Sequence, residues 1–462
     1  IFQGIQELPP GHYLLAANGR VDVQRFWSLN FSPDPTPREA GSYLEELEAL
    51  LVDATRIRLR ADVPVGAYLS GGLDSSLTTA LIRDLHQNRL DTFSIAFSDP
   101  AFDESPFQQQ MAAHLGTDHH VVFCTHAGIG EALPDVVWHA EAPILRTAPI
   151  PMYMLSHLVR SHGFKVVMTG EGADEFLAGY DIFKEMKIRR FWAQDPESVQ
   201  RPKLLQRLYP DVQGLGGSSA FLTAFFKKDL EQTGSPYYSH LIRWKNTART
   251  WRFLAEGGGA AAPAVEPDPR ALPEGFHTWP PLGQAQYLEA TTFLAPYLLA
   301  SQGDRMAMAH SVEGRYPFLD YRVMEFCSRL PSSMKMPALV EKWLLKQLGK
   351  KYLPDAIWQR VKRPYRAPIH RSFFAPKPHP YVEALLSESA VAQSGLFHPP
   401  AVSRLYSKAL NGANLTEVES MALVGILSAQ LIDAQFVRGN GRPANLALHG
   451  PVKTIDRLAS AP

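Results

Sequence analysis

Between residues 63 and 175, short apolar runs rich in β-formers alternate with stretches of helical periodicity, and this alternation restricts the fold more than any other feature. Strand candidates at 63–69, 92–97, 120–123 and 165–168 are separated by runs with helical spacing. Parallel strands need crossovers of a dozen or more residues, usually a helix. The pattern therefore predicts an α/β fold built on a parallel, doubly wound sheet. Upstream, residues 39–60 repeat apolar side chains (Tyr43, Leu44, Leu47, Leu50, Leu51, Ala54) at the interval of an amphipathic helix. From about residue 180 to 436 the periodicity is mostly helical. Residues 256–274, with a Gly-Gly-Gly run and clustered prolines, are expected to form a mobile loop, and residues 438–462 a loosely docked tail.

Two strand-to-helix junctions carry chemistry. The first is Ser70-Gly71-Gly72-Leu73-Asp74-Ser75-Ser76. Adjacent glycines permit a tight turn and close backbone approach, while Ser70, Ser75, Ser76 and the amides of a helix start can donate to phosphate oxygens. Asp74 would repel phosphate unless a cation intervened, which points to Mg²⁺, an ion held by one or two carboxylates together with phosphate and water. A Walker lysine is missing, so the loop reads as a holder of pyrophosphate and not as a site of γ-phosphoryl transfer. The second junction, Thr169-Gly170-Glu171-Gly172-Ala173-Asp174-Glu175, places Asp174 as a second magnesium ligand and Glu171 as a general base or a group that orients a nucleophile. The alternative for that junction is an acidic helix start favoured by the helix dipole.

Composition removes other classes. Lys plus Arg and Asp plus Glu each number 46, so no net field gathers nucleic acid or anionic lipid, and neither is expected as a partner. No apolar run reads as long enough to span a bilayer. Cys124 and Cys327 are the only cysteines and form no CxxC pair, which argues against a disulfide framework or thiol zinc site and for a reducing, cytoplasmic compartment. His119 and His120 would face opposite sides of a strand, so with His114 they make a poor metal cluster. Aromatics such as Phe225, Phe226, Tyr237 and Tyr238 read as core or as contacts of a homodimer. Residues 1–32 read as short strands with turns at Pro9-Pro10-Gly11 and Asn18-Gly19, too little to bury a core, and the start at Ile1 looks like the tail of something longer.

Taken with Thr92 to Phe97, Phe102-Asp103-Glu104-Ser105 and the stretch from His310 to Asp320, these motifs resemble the synthetase domain of glutamine-dependent asparagine synthetases over nearly the whole chain. The resemblance implies a PP-loop ATP pyrophosphatase domain over residues 33–437, preceded in residues 1–32 by the end of a class II glutaminase domain whose N-terminal nucleophilic cysteine is not in this sequence. It implies ATP and Mg²⁺, activation of a carboxylic acid, aspartate first, as an acyl-adenylate with release of pyrophosphate, and attack by ammonia delivered from glutamine. By the same resemblance Ser70, Gly71, Gly72, Asp74, Ser75 and Ser76 hold pyrophosphate, Leu69, Ile95 and Gly170 flank adenosine, and Asp74 and Asp174 hold magnesium. Lys362 stands near the phosphates, with Lys342 a weaker second cation. Arg146 falls near the amino-acid substrate. Arg305 and Glu313, with Asp304 and Arg315, either shape the substrate pocket or tie helices together, and the second reading is favoured. Related enzymes on this scaffold close β-lactam rings or cyclise peptides, and the β-lactam formers carry tyrosine where this chain has Glu171. An acyl-adenylating amide synthetase of specialised metabolism is therefore the alternative, with a non-catalytic nucleotide-binding relative third.

Overall fold

The alternation is realised, with small shifts at the ends of elements. In the computed structural model, which describes residues 3–86, 89–208, 219–255, 272–363 and 365–439, β1 (His12–Ala17) and β2 (Arg20–Arg25) form an antiparallel hairpin. There follow α1 (Ala40–Arg58), β3 (Val65–Tyr68), α2 (Leu73–Leu85), β4 (Asp91–Phe97), α3 (Ser105–Leu115), β5 (Asp118–Cys124), α4 (His126–Ala140), α5 (Pro149–Ser161), β6 (Val166–Met168) and the single turn α6 (Ala173–Phe176). A fifth strand of the same sheet, β7 (Glu313–Arg315), lies in the region whose periodicity reads as helical. Three residues, two of them charged and one glycine, carry no period-2 signal. What makes β7 a strand is its pairing, Val166 opposite Glu313 and Met168 opposite Arg315.

The sheet is parallel with strand order β5-β4-β3-β6-β7. Successive side chains point to opposite faces, and both faces are covered, as parallel sheets require. On one face Phe93 and Val167 pack with Leu155 and Val159 of α5. On the other, Ala67 and Met168 pack with Ile82 of α2. The chain winds outward from β3 to β5 and then crosses to β6 on the far side of β3. Strand order thus reverses between β3 and β6, and a crevice opens beyond their carboxyl ends, the place where ligands gather in such sheets. Both glycine-and-carboxylate junctions leave the sheet there.

The later helices complete two large cores. The segment Glu417–Ile432, continuing through Val437, is long and apolar enough to cross a membrane, although the sequence reading found no such run. Here it packs on α4 and buries Leu423, Val424 and Leu427 completely. A capping box starts it: Glu419 N–H donates to Thr416 Oγ1 at 3.3 Å and Thr416 N–H to Glu419 Oε2 at 2.8 Å. The hairpin ends at Arg25, and Phe31 is already a core residue stacked on Phe176, so the boundary expected at residue 32 does not coincide with the edge of the packed core. Phe226, Tyr237 and Tyr238 are buried in the core. The expected loop at 256–274 lies outside the described residues except for 272–274, as does the tail beyond Gly439. His119 and His120 separate as expected, His119 toward Thr92 and His120 toward Asp91.

Candidate active site

At the end of β3 the backbone is held before the turn begins. Leu69 N–H donates to Phe93 carbonyl at 3.0 Å and Ser94 Oγ–H donates to Leu69 carbonyl. Leu69 has a fully buried side chain, so it offers a ligand only its backbone. Gly71 turns the chain at φ 73°. Ser70 N–H then donates to Ser75 Oγ at 3.1 Å, and the two hydroxyls lie 2.8 Å apart, which closes the loop on itself. Gly72 caps α2 without a side-chain hydrogen bond, leaving the first-turn amides free of a side-chain acceptor, as an anion site needs. Ser76 is fully buried, its hydroxyl without a partner. Ile95, on β4, accepts from Gln108 Nε2 at 2.8 Å through its carbonyl.

The two junctions touch. A Cβ added to Gly170 would lie 2.8 Å from the backbone of Asp74 and Ser75, so only glycine lets the end of β6 lie against the phosphate loop. Asp174 of α6 is thereby brought beside Asp74. Between them stands Lys342, 2% exposed, with Nζ 2.5 Å from Asp74 Oδ2 and 2.5 Å from Asp174 Oδ1. Lys362 Nζ lies 2.6 Å from Asp174 Oδ2 and 4.0 Å from Asp74 Oδ2. Lys342 sits in the left-handed region at φ 51°, a conformation that costs a non-glycine residue and recurs at functional sites. It is as central as Lys362, against the lower rank it has in the sequence. Burial lowers the affinity of the Lys362 ammonium for its proton, but Asp174 and Asp74 outweigh burial and raise its pKa. Burial likewise pushes the Asp174 carboxyl up, and the two lysines outweigh it and hold it below the usual range.

The cleft in front of the loop is lined by Lys342, Lys346, Arg360, Lys362 and Arg363 and by three carboxylates, Asp74, Glu104 and Glu341. Positive charge is in excess, suiting a polyanion. Lys346 bonds Glu341 at 2.8 Å and Arg360 pairs with Glu104. Lys346, Arg360 and Arg363 were not singled out in the sequence. The available signals were the four-residue spacing of Lys342 and Lys346 and the run of cations at 360, 362 and 363.

Mg²⁺ fits this donor set. Asp74 Oδ1 is buried without a hydrogen-bond partner, facing a cleft suited to phosphate. Among the described residues no group of three or more His, Cys, Asp or Glu side chains forms a cage, and magnesium is characteristically held by one or two carboxylates with substrate phosphates.

Glu171 faces a second, smaller cavity, which it shares with Tyr68, Met152, Thr169, Gln302 and Tyr316. Its N–H donates to Thr169 Oγ1 at 3.3 Å. Burial, reinforced by Asp174 and Asp74 and opposed by Lys362 and Lys342, pushes its carboxyl up to about 7, where a general base works best at neutral pH. Neighbouring Glu175 is buried and raised well above the usual range, and it accepts from Tyr180 Oη at 2.9 Å.

The remaining expected site residues stand apart from both cavities. Arg146 is 42% exposed and pairs with Glu417 at 2.8 Å. Arg305 pairs with Glu141 at 2.6 Å. Glu313 pairs with Arg315 at 2.7 Å at the start of β7, the end of the sheet away from the crevice, while Arg315 ties the carbonyls of Arg58 and Arg60. Arg146 and Arg305 thus bridge separate segments of the chain, whereas Glu313 pairs within its own strand.

A family model described as asparagine synthase matches residues 46–433. Amidase chyE of Penicillium rubens is 29% identical over 88% of this chain and 65% of its own length, and amidase chry2 of Gibberella zeae is 28% identical over 94% and 68%. Asparagine synthetase [glutamine-hydrolyzing] 1 of Bacillus subtilis is 26% identical over 83% of this chain and 59% of its own length. The chain thus spans roughly three fifths to two thirds of the length of these relatives. The match covers the strands, both junctions and both lysines that assemble the cleft, and the chain belongs to the asparagine synthase family.

Proposed function

We propose that the chain is an ATP-dependent amide-forming ligase that activates a carboxylic acid at the α-phosphorus of ATP and passes the acyl group to ammonia. The observation that carries this reading is the Asp74–Lys342–Asp174 bridge at the mouth of the phosphate loop, next to a carboxyl poised near neutrality. One oxygen of the acid bonds to the α-phosphorus as the bond to pyrophosphate breaks. Lys342, Lys362 and Arg360 stand where charge grows on the leaving group, and losing one such stabiliser typically costs on the order of 10²- to 10³-fold. Mg²⁺, held by Asp74 and Asp174 with the phosphates, would supply further neutralisation of that charge. In the second step the amine attacks the acyl carbon, AMP leaves, and Glu171 takes the amine's proton.

Aspartate is the first candidate acid. Another acid is favoured by two observations: Arg146, the residue expected to hold the amino-acid substrate, is engaged by Glu417, and two relatives matching most of this chain are named amidases. The exposure of Leu14, Leu15, Val21 and Val23 on the hairpin supports assigning it to a glutaminase domain instead of the synthetase core. The test is pyrophosphate release across a panel of carboxylic acids with ATP and Mg²⁺. AMP and pyrophosphate, without ADP, are expected with at least one acid. ADP and phosphate as the only products would overturn the reading.

A further inference from the structure

The cavity behind Glu171 has a volume of about 20 Å³, room for about one water-sized molecule. Its inner wall includes Tyr316, the residue following β7. One glycine makes space for that phenol: a Cβ on Gly314 would lie 2.5 Å from Tyr316 Oη. The hydroxyl donates to Asp304 Oδ1 at 2.7 Å. A carboxylate only accepts, so the single phenolic hydrogen is committed and the oxygen's lone pairs remain for a donor. Burial, then Asp304, raises the phenol far above its ordinary range, so it stays protonated at any working pH.

Resting on the function proposed above, we propose that Tyr316, backed by Asp304, is the residue that sizes and orients the amine: its ring closes the cavity to nucleophiles larger than ammonia and its oxygen accepts one N–H while Glu171 takes another proton. The balance is simple. The nitrogen lone pair bonds to the acyl carbon, the carbon–oxygen bond to AMP breaks, and the displaced amine proton goes to Glu171, with Tyr316 exchanging none. Tyr316 lines the cavity of Glu171 and not the phosphate cleft that holds Lys362, so it governs which amine reacts and not which acid is activated.

The test compares wild type, Tyr316→Ala and Tyr316→Phe with an acid that supports ATP–pyrophosphate exchange. Amide formation with ammonium chloride and with methylamine is expressed relative to exchange by the same protein, which also reports folding. Tyr316→Ala is expected to raise the methylamine-to-ammonia ratio at least tenfold. Tyr316→Phe, which keeps the ring, is expected to leave that ratio low and reduce ammonia transfer about five- to tenfold, the worth of one neutral hydrogen bond. An unchanged ratio in the alanine variant overturns the proposal. If that variant loses exchange, unchanged ammonia transfer in the phenylalanine variant overturns it. Failure of every acid to support exchange in wild type would instead refute the adenylation reading, and this inference with it.

Discussion

Replacing Glu171 with Gln tests the site through stability and rate together. The carboxyl is raised from 4.5 to about 7, chiefly by burial. At about 1.4 kcal/mol per pH unit, that displacement corresponds to at most roughly 3.5 kcal/mol of folding free energy. The sign follows from proton binding. Between the two values the folded protein binds more protons at this position than the unfolded chain, so the contribution is fully present below about pH 4.5 and is lost as pH rises through about 7. Gln does not ionise and suffers no such loss. Urea unfolding of both proteins should therefore show nearly equal stability near pH 4.5 and an advantage for Glu171→Gln that grows to as much as about 3.5 kcal/mol by pH 8. The same variant should lose about 10²- to 10⁴-fold in amide formation, the usual worth of a general base, while retaining ATP–pyrophosphate exchange. Wild-type amide formation, at constant free amine, should rise through about pH 7, and the variant should lack that inflection. A stability difference that is flat with pH, or that favours wild type at pH 8, would refute the assignment of a buried, destabilised carboxyl. Loss of exchange with nucleotide binding intact would move Glu171 to the first half-reaction.

Lys342→Met removes the closer of the two lysines that Asp74 and Asp174 share, leaving Lys362 4.0 Å from Asp74 Oδ2, and breaking a buried pair of this kind costs about 3–5 kcal/mol; denaturant midpoints at pH 7 should fall accordingly, and unchanged midpoints would contradict the buried bridge. Gly179→Ala should abolish exchange while leaving a cooperative unfolding transition, because the new Cβ would lie 2.0 Å from Asp174 Oδ1 and 2.1 Å from Lys342 Cε; normal exchange would show that the bridge tolerates displacement. Chelation of Mg²⁺ should stop pyrophosphate release, and Asp74→Asn should raise the Mg²⁺ concentration needed for half-maximal rate; an unaltered magnesium titration would remove Asp74 from the metal site. Residues 1–462 alone should use ammonium and not glutamine, since both cysteines are buried with thiols pushed up to about 12; glutamate release matching amide formation would refute this.

What could be read from sequence was local. A strand, a glycine turn and a helix start are determined by spacing within a few residues, so the loop from Ser70 to Ser76 and the junction from Thr169 to Glu175 could be picked out as candidate site segments, and the structure brings them together. The parallel sheet followed from the same spacing, because strand runs joined by helical runs admit few other arrangements. β7 was hidden because its strand character lies in hydrogen bonds to β6, not in any alternation of Glu313, Gly314 and Arg315. The lysines were named only through the family resemblance, and their burial between the carboxylates was hidden for a related reason. Lys342 lies 268 residues from Asp74, and Lys362 lies 188 residues from Asp174. A charge in a sequence carries no information about depth, so whether a lysine ends buried between carboxylates or in water is decided only when distant helices pack. The same packing gave Arg146 and Arg305 their partners Glu417 and Glu141, outside the cleft. It also placed Tyr316 in the cavity wall shared with Glu171, where the missing side chain of Gly314 leaves room for the phenol.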